Sequence, residues 1–151
     1  MSDVEVSTRI GADPADLWSM VSDLPRMGEW SPENTGGRWI GGATAPVVGA
    51  RFKGSNKHGI RRWSTTVTVT EAEPGRRFAF DVDFWGVPIS EWVYDFVGGD
   101  GATEVVESWT DRRPAWMRIG SVPVMGVADR AEHNRRNMER TLAALKAAAE
   151  S

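Results

Sequence analysis

Between about residue 36 and residue 112, the sequence alternates apolar with polar residues in one segment after another. A representative segment places Phe78, Phe80 and Val82 at every second position. This period of two is typical of half-buried β-strands. Dipeptides such as Asp100-Gly101, which favour tight hairpin turns, separate the segments. Because short turns join strands that pair antiparallel, this part of the chain predicts an antiparallel sheet.

The two ends of the chain carry the remaining elements. The segment from Val4 to Ile10 alternates as a first strand. Asp13 and Pro14 then predict a helix start, because Asp caps helices and Pro fits the first helical position. A second short helix is expected to begin at Pro25. Near the C-terminus the period changes to 3.6, which predicts a helix of about 24 residues, roughly 36 Å long. Its apolar stripe consists of Ala128, Ala131, Met138, Leu142 and Leu145.

This order of elements predicts an α+β fold. We expect a curled antiparallel sheet of about seven strands around the long C-terminal helix, with two short helices after the first strand. A sheet of this size has to curl if one long helix is to cover its apolar face, and the space between them is a natural cavity. The chain has 151 residues and no evident linker, so we expect a single domain over residues 1–151.

Composition narrows the class of protein further. The net charge of −3 argues against nucleic-acid binding, since such proteins carry a basic patch or stripe. No stretch approaches the 18 apolar residues of a transmembrane segment. The absence of Cys and of an apolar leader fits a reducing compartment, so we expect a cytoplasmic protein. The 8 Trp residues, against 1 Tyr, are typical of a pocket wall.

Six motifs spread over nearly the whole chain are similar to those of a known superfamily. They are ADPADLW at 12–18, WSPE at 30–33, VGARFKGSN at 48–56, EPGRRF at 73–78, EVVESW at 104–109 and MERTLAALK at 138–146. Together with the order of elements, they resemble the START-like or SRPBCC superfamily, the helix-grip fold of birch-pollen allergens, and more narrowly its polyketide cyclase/dehydrase members. The resemblance implies binding of a hydrophobic small molecule, such as a lipid or polyketide. Some members are cyclases or dehydratases and others are carriers, so the resemblance leaves the reaction open.

Large apolar side chains are the candidates for the wall of the cavity. Several of the aromatic residues share one face of the sheet if the strands pair in the expected register. The predicted ligand-contacting residues of this kind are Trp30, Phe52, Trp63, Phe80, Trp92, Trp109 and Met138. Rigid rings around an apolar space are typical of a small-molecule site. The alternative is that these side chains form an ordinary core.

Glu107 is the candidate acid–base catalyst. It shares the parity of Val105 and Trp109, so its carboxyl lies in an apolar cavity if that face points inward. Desolvation would then raise its pKa and suit it to proton transfer. Tyr94 is the accompanying candidate catalytic group. The alternatives are that Val106 points inward and leaves Glu107 in water, or that Glu107 pairs with an inward Arg.

Two amides are candidates for polar contacts with a ligand. Asn56 continues the face of Phe52, and Asn134 lies on or beside the apolar stripe of the C-terminal helix. Each amide can bond to a ligand carbonyl or hydroxyl, or else to a backbone group or a buried water.

The sequence predicts neither a metal nor a cofactor. His58 and His133 have no His or Cys neighbour at the spacing of metal ligands, and we interpret both as surface residues. The glycines at 98–101 are not followed by a helix, so they indicate a hairpin turn rather than a nucleotide-binding loop. There is no G-x-S-x-G motif for a nucleophilic serine.

Three functions fit these observations. The first is binding of a hydrophobic small molecule between the sheet and the C-terminal helix. The second is a cofactor-independent polyketide cyclase/dehydratase that uses Glu107 as a base in the same cavity. The third is a protein-interaction module that buries the apolar segments 84–89 and 116–125 against a partner, whereas the first hypothesis interprets these segments as lids. The sequence indicates no oligomeric state.

Overall fold

The computed structural model describes residues 2–116 and 130–151. Within these residues the sheet contains seven strands, and every neighbouring pair is antiparallel. The strands are β1 (Val4–Ile10), β2 (Asn34–Ile40), β3 (Arg51–His58), β4 (Arg61–Glu73), β5 (Arg77–Phe84), β6 (Val87–Gly99) and β7 (Ala102–Asp111). Their order across the sheet is β1-β7-β6-β5-β4-β3-β2. The first strand, β1, therefore lies at one edge of the sheet, next to β7.

Three helices complete the described fold. Helix α1 spans Pro14–Ser22, and its N-cap is Asp13, whose Oδ1 accepts a hydrogen bond of 2.9 Å from the Ala15 amide. A 3-10 helix follows at Leu24–Glu29, with Pro25 in its first turn, where the missing amide hydrogen costs no helical hydrogen bond. Helix α2 spans Arg130–Glu150.

These elements confirm the predicted α+β helix-grip architecture, with a curled seven-stranded sheet, a C-terminal helix and two short helices after the first strand. Helix α2 is described over 21 residues rather than the predicted 24. Ala128, placed on its stripe, lies outside the described residues, and so does the part of the apolar segment 116–125 that follows Trp116.

The core lies between the sheet and α2. The buried face of α2 presents Asn134, Met138, Thr141, Leu142 and Leu145, at the spacing of three to four residues expected of one helix face. Leu145 is completely buried. Burying one Leu side chain in this way contributes about 1.5–3 kcal/mol. The helix is therefore held by its apolar stripe, while two of the five buried positions remain polar.

Strand register brings the candidate side chains onto one face. Tyr94 of β6 is directly opposite Glu107 of β7, and Trp92 is opposite Trp109. On the other side of β6, Trp92 is opposite Phe80 of β5. Because alternate residues point to the same side, this register aligns the five side chains on one surface of the sheet.

Within residues 2–116 and 130–151, no helix has both the length and the apolar character needed to cross a membrane. The cytoplasmic location and the single domain over residues 1–151 stay predictions.

Candidate ligand-binding site

A cavity of about 140 Å³ lies between the sheet and α2. Its volume is close to that of the roughly 150 Å³ apolar cavity that is known to admit benzene. Nine of the residues predicted from sequence line its wall: Asn56, Trp63, Phe80, Trp92, Tyr94, Glu107, Trp109, Asn134 and Met138. The geometry therefore brings these predicted residues together, and their contact with a ligand stays a prediction.

Glu107 and Tyr94 form a buried hydrogen-bonded pair in this wall. The Tyr94 hydroxyl donates to Glu107 Oε2 over 2.7 Å. Glu107 is 2% exposed, and its strand neighbours Val105 and Trp109 are buried on the same face. This is the inward register on which the candidate role of Glu107 depends. The alternative that left Glu107 in water is wrong, because Val106 occupies the other face and is partly exposed.

Burial changes the protonation of this pair. It raises the pKa of Glu107 from 4.5 to about 8, although the hydrogen bond from Tyr94 acts in the opposite direction. Burial, the charge of Glu107 and the shared hydrogen bond also raise the pKa of Tyr94 well above 10. The protonated form of Glu107 therefore predominates at pH 7. A protonated carboxyl can donate a hydrogen bond as well as accept one.

One oxygen of this carboxyl has no partner in the part of the chain that the structure describes. Glu107 Oε1 is buried and makes no hydrogen bond within the described residues, whereas Oε2 accepts from Tyr94. Buried polar atoms almost always have a partner, so each exception calls for an explanation. A ligand atom in the cavity would supply the missing partner.

Aromatic rings form much of the surrounding wall. The rings of Trp92 and Trp109 are 6.4 Å apart and tilted by 49°. The Trp92 indole donates to Ser90 Oγ over 3.1 Å, so its polar atom is satisfied without a ligand. Phe80, the cross-strand neighbour of Trp92, extends this apolar surface.

The two candidate amides differ in their surroundings. Asn56 Nδ2 donates to Thr65 Oγ1 over 3.3 Å, so its orientation is set within the sheet. Asn134 is 4% exposed and faces the cavity from α2. The two amides thus face each other across the space that a ligand would occupy, Asn56 from β3 and Asn134 from α2.

Trp30 and Phe52 do not occur among the described residues that line the cavity. Phe52 is buried and packs edge-to-face on Trp39, with the ring centroids 5.3 Å apart. Trp30 is also buried, with the guanidinium of Arg26 5.2 Å from its ring centre. These positions correspond to core packing, the alternative role considered for them.

The rim of the cavity is polar and contains residues that are distant in the sequence but close together in the fold. Glu33, Arg130 and Asn137, all partly exposed, line it. Arg130 Nη2 donates to Glu33 Oε1 over 2.8 Å, and His133 Nε2 is 2.7 Å from Glu33 Oε2. His58 also faces this carboxylate, at 3.4 Å.

The two histidines, His58 and His133, are direct neighbours at this rim. The two rings lie edge-to-face with centroids 4.7 Å apart, and the His133 side chain is only 16% exposed. His133 is thus partly exposed at the rim, and the structure places it beside His58. Sequence spacing could not reveal the pair, because His58 ends β3 and His133 lies on α2.

The apolar tip at 84–89 is a β5–β6 hairpin, in which Trp85 is 89% exposed. Trp116 is also exposed. Burial of these side chains against a protein partner stays a prediction.

The curled sheet, the C-terminal helix and the cavity between them define a helix-grip protein. More particularly, the chain belongs to the family described as polyketide cyclase / dehydrase and lipid transport, whose model matches residues 1–150. This confirms the resemblance inferred from the sequence motifs. No curated protein matches the chain.

Solved structures share the fold. The Polyketide_cyc-like protein Cgl2372 from Corynebacterium glutamicum is 31% identical, and the match covers 95% of this chain and 88% of that one, with a TM-score of 0.64. The di-domain ARO/CYC StfQ from the steffimycin biosynthetic pathway is 11% identical over 97% of this chain and 44% of its own, with a TM-score of 0.69. Protein CV1439 from Chromobacterium violaceum is 13% identical over 98% and 97%, with a TM-score of 0.72. At these identities the last two show the fold alone.

Proposed function

We propose that this protein binds a hydrophobic, lipid- or polyketide-like small molecule in the cavity between the sheet and α2. The observation that carries the proposal is Glu107 Oε1, which is buried in the cavity wall and has no hydrogen-bond partner in residues 2–116 and 130–151. Leaving such an atom without a partner costs roughly 1–3 kcal/mol. A ligand hydroxyl or carbonyl at Oε1 would remove this cost, while Trp92 and Trp109 contact the apolar part of the molecule.

The site favours a ligand with a neutral polar group. A mostly protonated Glu107 can donate to a carbonyl or accept from a hydroxyl, whereas a ligand carboxylate would bring a second acid into a buried site. The cavity volume of about 140 Å³ suits one aromatic ring. The family description, and the steffimycin pathway to which StfQ belongs, support a polyketide-like aromatic molecule.

A matched pair of probes tests this proposal. Toluene and p-cresol have the same ring and methyl group, but only p-cresol carries a hydroxyl. Isothermal titration calorimetry should show both binding, with p-cresol about 5- to 10-fold tighter because of one added hydrogen bond of about 1 kcal/mol. In Glu107→Met this preference should disappear, while toluene still binds.

Glu104→Met provides the control, because Glu104 is an exposed acid on the other face of β7. It should retain the preference for p-cresol. The proposal is wrong if neither probe binds the wild-type protein, or if Glu107→Met keeps the preference for p-cresol.

A second candidate function is the cofactor-independent cyclase/dehydratase. It is favoured by the combination of a buried carboxyl, an adjacent phenol and a Glu107 pKa of about 8, which is close to working pH. Ring closure by an aldol step begins with removal of a proton next to a ketone. In this proposal, the ionised form of Glu107 takes that proton and later returns it.

Deuterium exchange into the methyl group of acetophenone in D₂O, followed by proton NMR, measures this step. The wild-type protein should accelerate exchange, and Glu107→Gln should abolish the acceleration while acetophenone affinity stays within about 2-fold. An equal loss of affinity and exchange would assign Glu107 to binding or folding instead.

A further inference from the structure

Three side chains known for binding metals converge at the rim of the cavity. Glu33 precedes β2, His58 ends β3, and His133 lies in the first turn of α2. One ligand atom from each residue lies within 4.8 Å of those of the other two. The cluster is separate from Glu107 and Tyr94, and the proposed function does not use it.

Both imidazoles approach the same carboxylate oxygen. Glu33 Oε2 is 2.7 Å from His133 Nε2 and 3.4 Å from His58 Nδ1. In a tetrahedral zinc site with bonds of about 2.0–2.2 Å, two ligand atoms are about 3.3–3.5 Å apart. The Glu33–His58 separation already has this value, and His133 needs to withdraw from Glu33 by less than about 1 Å.

His133 has two partners that make opposite demands on its Nε2 atom. Glu33 is an acceptor at 2.7 Å, whereas the amide nitrogen of Asn137 is a donor at 3.1 Å. A protonated Nε2 satisfies Glu33 but has no lone pair for Asn137, and an unprotonated Nε2 satisfies Asn137 but faces a carboxylate. A cation between Nε2 and Glu33 would remove the unfavourable contact in the second case.

We propose that Glu33, His58 and His133 bind one divalent transition-metal ion, for which Zn²⁺ is the probe. Two imidazoles and one carboxylate form the protein ligand set of several zinc sites, and they leave a coordination position for water. The three ligands lie on separate elements that the folded sheet and α2 hold together, so the site forms only in the folded chain.

Arg130 is the competing cation. Its guanidinium contacts both oxygens of Glu33, at 2.8 and 3.4 Å, and both side chains are 14% exposed. It also lies 5.9 Å from the centre of the Trp63 ring, which offers it a second contact when an ion takes over the carboxylate. An ion at Glu33 must therefore bind against the charge of Arg130, and removing that charge should strengthen metal binding.

Titration of tag-free, chelator-treated protein with Zn²⁺, against a fluorescent chelator of known affinity, tests the site. We expect one ion per chain. His58→Asn should weaken binding at least about 10-fold, because a ligand is lost. Arg130→Met should strengthen it. Co²⁺ should reproduce the stoichiometry and give the visible absorption of a nitrogen- and oxygen-ligated ion.

Glu29→Gln is the matched control, because Glu29 is an exposed acid paired with Arg26 on the adjacent 3-10 helix. It should leave Zn²⁺ affinity unchanged. His58 is the preferred test position, since its side chain is 37% exposed and its replacement should preserve the fold, as checked by thermal melting. The proposal is overturned if the wild-type protein binds no Zn²⁺, if His58→Asn binds it equally well, or if Arg130→Met weakens binding.

Discussion

Replacing Glu107 by Gln should change how stability depends on pH. In the folded chain, burial holds the Glu107 pKa at about 8, above its ordinary value of 4.5. The folded state therefore retains a proton that the unfolded state releases between these two pH values. The contribution of Glu107 to stability is greatest below about pH 4.5 and falls as pH rises toward 8, by about 1.4 kcal/mol for each pH unit in the middle of this window. Gln carries no charge at any pH and lacks this loss.

The magnitude follows from the two pKa values. Between pH 5 and pH 9, the wild-type protein should lose about 4 kcal/mol relative to Glu107→Gln. At about 2–4 °C per kcal/mol for a chain of this size, the difference between the two melting temperatures should grow by about 8–16 °C. Near pH 5 this effect should amount to less than about 1 kcal/mol, because Glu107 is neutral in the folded chain and pH 5 is close to its ordinary pKa of 4.5.

Urea unfolding followed by tryptophan fluorescence at pH 5, 6, 7, 8 and 9 measures this difference directly. Groups that titrate equally in both proteins cancel when one curve is subtracted from the other. Glu104→Gln makes the same chemical change on the exposed face of β7 and should follow the wild-type profile. If the curves for wild type and Glu107→Gln run parallel from pH 5 to pH 9, the buried, protonated state of Glu107 is refuted.

Three further substitutions, the last with a matched control, test other parts of the structure. Tyr94→Phe removes the hydrogen bond that lowers the pKa of Glu107, so that pKa should rise above 8 when it is followed by carboxyl NMR; an unchanged or lower value would contradict the contact. Leu145→Ala, at a fully buried position on α2, should reduce the free energy of unfolding by about 2–5 kcal/mol in urea, and a loss below about 1 kcal/mol would count against the packing described. Gly37→Ala would place Cβ 2.2 Å from a backbone oxygen of β3 and should reduce the free energy of unfolding by about 1–3 kcal/mol. Gly99→Ala is the control, because its Cβ would have no atom within 4 Å, and it should unfold almost as the wild type does. Equal losses of stability in the two variants would reject this explanation.

The strand pattern was sufficient to predict the architecture but left the direction of Glu107 open. Val105 and Val106 are both apolar, so alternation alone allows either face of the last strand to point inward. The pairing of β7 with β1 and β6 determines which face points inward. Glu107 lies opposite Val6 and Tyr94, both of which are buried, so all three side chains share the inward face. The direction of the Glu107 side chain therefore depends on how the neighbouring strands pair, and the sequence of one strand does not contain that information.

The position of a residue along its strand, relative to the cavity, was harder to predict than the face of the sheet on which it lies. Phe52 and Asn56 share the inward parity of β3, yet only Asn56 lines the cavity, while Phe52 packs on Trp39. Parity determines the side of a sheet that a residue occupies, but the position of the cavity depends on where α2 stands away from the sheet. The proximity of His58 to His133 has the same origin, since the distance between β3 and α2 is set by tertiary packing.

The pairing of the two termini bears on how the chain is made. Strand β1 has its sheet partner in β7, with Val4 opposite Trp109, and the C-terminal helix contacts the end of β1 through hydrogen bonds from Lys146 to the Arg9 carbonyl and from the Gly11 amide to Glu150. During synthesis at about 5–20 residues per second, β1 therefore waits about 5–20 s for its partner to be made. The α2 contacts form later still, because Lys146 and Glu150 follow β7 in the chain. Throughout that interval β1 has no sheet partner, so the pairing that completes this edge of the sheet is a late step when the chain folds during synthesis.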